Sequence, residues 1–527
     1  MRHEDWFLTD AERGNPACRL PAWCAGNEVL PLVDGAEYFP RLAEEVDALR
    51  PGDHLFFTDW RGDADERLRG DGPTVGELFA EAARRGVVVK GLMWRSHSDE
   101  LAYSEQENRQ LGDEVREAGG EVLLDQRVRR AGSHHQKLVV LRRPEDPARD
   151  VAFVGGIDLC HSRGDDADHA GDRQALPINP AYGDTPPWHD VQLQVRGPAV
   201  GLLDRVFRER WEDPHSLDTH SPLARVRDTL THADLHADPL PERPADPAPA
   251  GTAAVQVLRT YPSIRPGYPF APKGERSVAR GYAKALRRAR RLVFLQDQYM
   301  WSPHIARLLA SALRRSPDLH LVVVVPRHPD VDGRLALPPN QVGRLQALQV
   351  CRRAAADRVH VFDLENEAGT PVYVHAKVAV LDDVWAAVGS ANLNRRSWSH
   401  DSELTAAVLD EARDEREPAD PGGLGDGART FARALRLRLL REHLDRAEGD
   451  DADLVDPESA VRAVEKAATA LDEWHRDGRR GPRPPGQLRH HEPERLALPT
   501  KLWAVPAYRL LYDPDGRPWR DRLRHRW

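Results

Sequence analysis

Ser133–Leu141 reads SHHQKLVVL, and Val374–Asp383 reads VHAKVAVLDD. In each, a His-x-Lys triplet leads into an apolar run with β-branched residues, the pattern of a buried strand. Side chains two apart on a strand share a face, so His135 is held beside Lys137 and His375 beside Lys377. One such pair is commonplace. Two pairs, each followed by an apolar strand and a small-residue turn, FVGGIDL (Phe153–Leu159) and AVGSANLN (Ala387–Asn394), mark a duplicated unit.

Working outward, each pair sits at the end of the same order of signals. Before the first come the strand HLFFTDW, the helix TVGELFAEAARRG, the strand VVVKGLMW, a helix over 105–118 and the strand EVLLDQ. Before the second come the helix RSVARGYAKALRRARR, the strand LVFLQDQYM, a helix over 305–314, LHLVVVVP, a helix over 341–358 and VHVFDL. Strands apolar on both faces and alternating with helices predict an α/β fold of two similar halves, each a sheet flanked by helices. The Pro/Ala-rich stretch 236–254 reads as a linker. It divides a first half (1–235) from a second (255–450), with a helical and Pro/Arg-rich extension over 451–527. DEREPADPGGLGDG (414–427) reads as a disordered loop.

The chain has 527 residues, 40% hydrophobic and 30% charged, and no apolar run near the roughly 20 residues of a membrane span. The opening residues lack a signal-peptide pattern, so a cytoplasmic, monomeric protein is expected. With a formal net charge of -9 there is no global field to draw it to nucleic acid or to an anionic bilayer, which leaves only a local basic patch for either. The four cysteines are too scattered for a disulfide framework or a paired zinc site. HSRGDDADH (161–169) matches no closed metal spacing and reads as a solvated loop, so no metal and no cofactor is expected.

The residues around the pairs narrow the chemistry. Gly156 and Ser390 let the backbone pass close to a ligand, and Asp158 and Asn392 occupy corresponding places two residues on. Asp190 in WHDVQLQVRG and Glu403 in DSELTAAVL open later strands, placed to orient an imidazole through its second N–H. Lysines with amide and hydroxyl donors would neutralise the non-bridging oxygens of a phosphodiester. One histidine could then attack phosphorus while the other protonates the leaving oxygen.

This set resembles the phospholipase D superfamily, whose mark is two copies of H-x-K-x-x-x-x-D. The second copy is complete in His375, Lys377 and Asp382. The first has Arg142 where the family has aspartate. GGIDLC, PPWHDVQLQVRGPAV, FRERW, LQDQYM and LREHL extend the resemblance over most of 26–444. It implies α/β halves packed with pseudo-two-fold symmetry, the site at their interface, His135 as nucleophile and His375 as acid. The substrate it implies is a glycerophospholipid, hydrolysed or transphosphatidylated. Cardiolipin synthesis, nucleic-acid cleavage and a non-catalytic binding module are the alternatives. Peripheral membrane contact would fall to exposed loops bearing residues such as Tyr299 and Trp301, aromatics that fit a core equally well. Seven is an odd offset, so Arg142 and Asp382 face away from the His-Lys pairs, and the motif aspartate reads as a replaceable strand-end anchor.

Overall fold

Leu138 and Val140 enter one apolar cluster while Val139 and Leu141, between them, enter another. Val378 and Val380 likewise part from Ala379 and Leu381. These strands are apolar on both faces because both faces are covered, and each such Val or Leu contributes roughly 1.5–3 kcal/mol on burial. The computed structural model describes residues 2–96, 105–217, 236–330, 337–493, 496–524 and 527.

The first sheet runs in the order Glu121–Asp125, Val88–Trp94, His54–Asp59, Leu138–Arg142, Val151–Gly155, Val191–Arg196, Cys24–Val33. The second runs Val359–Glu365, His320–Val324, Leu292–Asp297, Lys377–Leu381, Trp385–Gly389, Glu403–Asp410, Ala253–Tyr261. In both, the first two pairings are parallel and the rest antiparallel, which is the duplication expected from sequence. The sheets meet where the start of Cys24–Val33 pairs with Ala253–Tyr261, Cys24 opposite Val255 and Asn27 opposite Ala253.

Three layers of core follow. The inner faces of both sheets share one cluster with the helices Ala199–Trp211 and Thr430–His443. Separate clusters fill the outer face of each half, beneath helices such as Val75–Arg84 in the first and Pro303–Arg315 in the second. Beyond 450, the helix Pro457–Arg476 is followed by Leu488–His490, which adds antiparallel to Val359–Glu365 at the edge of the second sheet.

Two expectations are corrected here. The 414–427 stretch is folded against the second half: Asp426 accepts from the Trp6 indole and pairs with Arg288, and Asp414 pairs with Arg433. Trp301 is buried against Tyr508, with the Tyr299 ring tilted against it at 4.2 Å, so the membrane-facing reading of this aromatic pair gives way to the core one.

Candidate active site

The two His-x-Lys triplets stand at the mouths of equivalent strands, just before Leu138–Arg142 and at the start of Lys377–Leu381. His135 is held by its own N–H, which donates to the Ser402 carbonyl at 2.9 Å, and His375 by its N–H to the His189 carbonyl at 2.8 Å. Each backbone anchor lies in the other half. The imidazoles repeat the exchange: His135 Nδ1 is 2.9 Å from Glu403 Oε2, and His375 Nδ1 is 2.6 Å from Asp190 Oδ2. A site that neither half can complete alone is thereby built across the interface.

Both lysines are buried, and the Nζ of each donates back to the carbonyl of its own histidine. Lys137 also pairs with Asp158 at 3.0 Å. Burial pushes Asp158 up, but the Lys137 ammonium and the neighbouring Asp59 carboxyl outweigh it and hold Asp158 below the usual carboxylate range. Burial and the Asp158 charge push Asp59 well above its ordinary value. The second half has Asp297 at the place of Asp59 and the neutral Asn392 at the place of Asp158. Asp297 takes N–H bonds from Tyr299, Met300 and Leu393. Burial lowers the Lys377 ammonium to about 8. Burial, then Lys377 and Arg163, hold the His375 imidazole well below its ordinary value, while burial pushes Asp190 up.

The small residues are required by close approach. A Cβ on Gly156 would lie 2.1 Å from Asp190 Oδ1, and one on Gly389 would lie 2.4 Å from the Leu404 carbonyl oxygen. Ser390 donates to Glu403 Oε2 and accepts from the Leu404 N–H at 3.0 Å, fixing the carboxylate that holds His135.

Asp382 and Arg142 lie away from this centre. Asp382, in the left-handed region at φ 51°, accepts from the N–H groups of Arg290, Arg291 and Leu292 at 2.7, 2.8 and 2.8 Å. Arg142 is fully buried and pairs with Asp150 at 2.6 Å and Asp204 at 2.9 Å, with the carbonyls of Pro244 and Ala245 as further acceptors. It is the hub of an ionic network, more than the loss of one replaceable hydrogen bond that sequence implied.

Several contributors escaped sequence reading. Arg163 lies over the Trp188 ring at 3.8 Å and 3.7 Å from Asp158, bringing a further cation to the site, while Trp188 rests against His375 at 5.1 Å. The 161–169 segment is no solvated loop, since Asp165 and His169 are buried. His169 joins Asp34, His189 and Glu442 in a group whose donor atoms all lie within 4.8 Å of one another. His189 Nδ1 is 3.1 Å from both Asp34 Oδ1 and Glu442 Oε1. This set of two imidazoles and two carboxylates could hold a divalent cation directly behind Asp190. Its members are spread from residue 34 to residue 442, so no local spacing announces it.

A duplicated α/β fold with paired imidazoles and ammoniums at the interface defines a phosphoryl-transfer class of protein. Residues 64–306 match the family described as Phospholipase D, and residues 282–416 match Cardiolipin synthase, PLD-like domain. The chain belongs to the phospholipase D superfamily. Phospholipase D alpha 1 of Arabidopsis thaliana is 24% identical, aligned over 84% of this chain and 68% of its own length. For phospholipase D alpha 1 of rice the figures are 24%, 71% and 61%, and for phospholipase D A of Dictyostelium discoideum they are 26%, 59% and 27%. The chain thus spans between about a quarter and two thirds of these relatives. Phosphatidylserine synthase of Haemophilus influenzae Rd KW20 shares the fold, with a TM-score of 0.50 and 13% identity over 76% of this chain and 86% of that one. Among the described residues no helix is long and apolar enough to cross a membrane.

Proposed function

We propose that this protein cleaves or exchanges the head group of glycerophospholipids through a phosphohistidine on His135. The observation that carries the reading is the exchange of carboxylates, Glu403 to His135 and Asp190 to His375, at 2.9 and 2.6 Å. With Nδ1 of each ring engaged, Nε2 is the nitrogen left for chemistry.

In the first step His135 Nε2 forms the N–P bond as the bond from phosphorus to the head-group oxygen breaks. The proton on His375 Nε2 passes to that oxygen, so a neutral alcohol leaves. In the second step water or an alcohol attacks phosphorus, its proton goes to His375, and the N–P bond breaks to release phosphatidic acid or a phosphatidyl alcohol. Lys137 and Lys377 hold the non-bridging oxygens through both displacements, with Asn392 and Ser390 in support. Asp190 and Glu403 fix the tautomer of each ring and stabilise it when protonated.

The match of 282–416 to the cardiolipin synthase family favours one second reading, transfer of the phosphatidyl group to another lipid alcohol. Incubating the protein with phosphatidylcholine, with and without a primary alcohol, separates the outcomes. Choline release together with phosphatidic acid, diverted to a phosphatidyl alcohol when the alcohol is present, is the expected result. Turnover only when a second phospholipid supplies the hydroxyl would favour the synthase reading. Cleavage confined to nucleic acid would overturn both.

A further inference from the structure

The helices Leu498–Ala507 and Trp519–Leu523, with the turn Tyr508–Tyr512 between them, carry a surface unlike the rest of the molecule. Leu498, Leu502, Leu510, Leu511, Trp519 and Leu523 each expose 64–81% of their area, whereas the exposed large apolar residues described elsewhere, Leu30, Leu176 and Leu424, expose 39–41%. Exposed apolar residues grouped this closely along the chain mark a surface that is covered in use. Its cations set it apart from a chain that is acidic overall: Lys501, Arg509, Arg520 and Arg524 lie among the leucines. The nearby carboxylates are engaged, Asp513 buried on Arg395, Asp515 on Arg517 and Arg522, and Asp521 on Arg276.

We infer that this segment docks the protein on an anionic lipid bilayer. Exposed leucine and tryptophan alternating with arginine is the chemistry of an interfacial helix: the apolar side chains enter the acyl boundary while the guanidiniums stay at the phosphates. A protein partner would need a shaped apolar complement, whereas the bilayer needs only the mixed composition seen here. The segment is also wired to the active site. Asp513 accepts from the N–H groups of Arg395 and Arg396, which open the short helix after Asn392. The Gly516 carbonyl accepts from Arg129, six residues before His135. Tyr508 packs on Trp301 and takes the Ser302 N–H. Docking here would bring the bilayer to the segment that leads to His135 and to those that follow Asp297 and Asn392, which deepens the lipid-substrate reading proposed above and takes its consequence from it.

The test uses the full chain and separates binding from turnover. Sedimentation with vesicles of equimolar phosphatidylcholine and phosphatidylglycerol is compared with vesicles of phosphatidylcholine alone, for wild type and for Leu502→Glu/Leu510→Glu/Leu511→Glu. Wild type is expected to bind the anionic vesicles more tightly. The triple variant should lose about 10²-fold or more in partitioning, from the apolar area it no longer buries. All three residues are exposed, so cleavage of a monomeric short-chain phospholipid should stay at the wild-type rate and report an intact fold. If the chain cleaves no lipid at all, circular dichroism reports the fold instead, and vesicle binding is still decided. Equal vesicle binding by wild type and variant would overturn the proposal. So would a wild-type dimer in light scattering that the variant abolishes, since a second copy would then be the occupant.

Discussion

The two half-sites agree at the ends that carry the His-Lys pairs and differ at their far ends. Each presents an imidazole bonded to a carboxylate of the other half, beside a buried lysine. Past the strand that follows, Asp382 gathers three backbone N–H groups, whereas Arg142 bridges two buried aspartates. The motif aspartate therefore fixes the end of a strand, and another residue can do that work if its surroundings change with it. What cannot vary is the end where the substrate's charge must be met.

The sharpest way to break this equivalence is to remove the lysines one at a time. Lys137→Ala and Lys377→Ala should each lower kcat by about 10²–10³-fold, the worth of one preorganised group at a developing charge. Turnover at saturating substrate, with folding checked by circular dichroism, gives the comparison. A large loss from one variant and little from the other would mean that the phosphate is held by one half alone.

Next in size is the far end. Arg142→Met leaves Asp150 buried without its cation and Asp204 with Arg208 alone at hydrogen-bond distance, and should cost about 3–5 kcal/mol of stability. Asp382→Asn keeps an acceptor for some of its three N–H partners and should cost about 1–3 kcal/mol. Denaturant unfolding measures both, and the folded fraction of each should turn over within a few-fold of wild type. A catalytic defect in folded Arg142→Met that matches the lysine variants would end the view of this position as an anchor.

How much of this was legible in sequence follows from where each partner lies. The apolar strands and the glycine turns are local patterns and stand where the periodicity set them, but His135 and Lys137 precede the strand Leu138–Arg142 and His375 precedes Lys377–Leu381, so a shared strand face is not what pairs them. Asp190 and Glu403 could be picked as orienting carboxylates, but that each serves the other half's histidine depends on how the sheets pack, which no local pattern encodes. Arg142 could be placed facing away from the site by strand parity. Its partner Asp204 lies on a helix 62 residues on, so the network around it was hidden. The metal-capable group of Asp34, His169, His189 and Glu442 was hidden for the same reason. The 498–523 segment reads only as part of a Pro/Arg-rich extension, and it takes tertiary structure to show that its leucines are uncovered.

A smaller effect probes the glycines. Gly156→Ala would drive a methyl into Asp190 Oδ1 and unseat His375, with an expected loss of about 10–10²-fold, as for other positioning contacts. The loss should shrink for an activated leaving group, because the misplaced ring is the one that protonates it. Equal loss for good and poor leaving groups would take the acid role from His375.

The smallest expected effect is a pH dependence that separates the two histidines. In the free protein, burial, Lys377 and Arg163 hold His375 well below its ordinary pKa, so little of it is protonated at neutral pH. If His375 is the acid, kcat/KM must rise as pH falls from about 8 toward about 6, because the protonated fraction grows in that direction. Lys377, lowered by burial to about 8, adds a loss of the same sign on the alkaline side, since its neutral form no longer holds phosphate. The two contributions are separable, because arginine stays charged throughout: Lys377→Arg should remove the lysine limb and leave the histidine one. Bound phosphodiester brings a negative charge beside the ring, raising its pKa, so kcat should fall at higher pH than kcat/KM does. A kcat/KM that is flat from about pH 6 to about pH 8 and then falls, with the fall abolished in Lys377→Arg, would take the acid role from His375. A phosphohistidine trapped on residue 375 would then show that the two halves exchange roles.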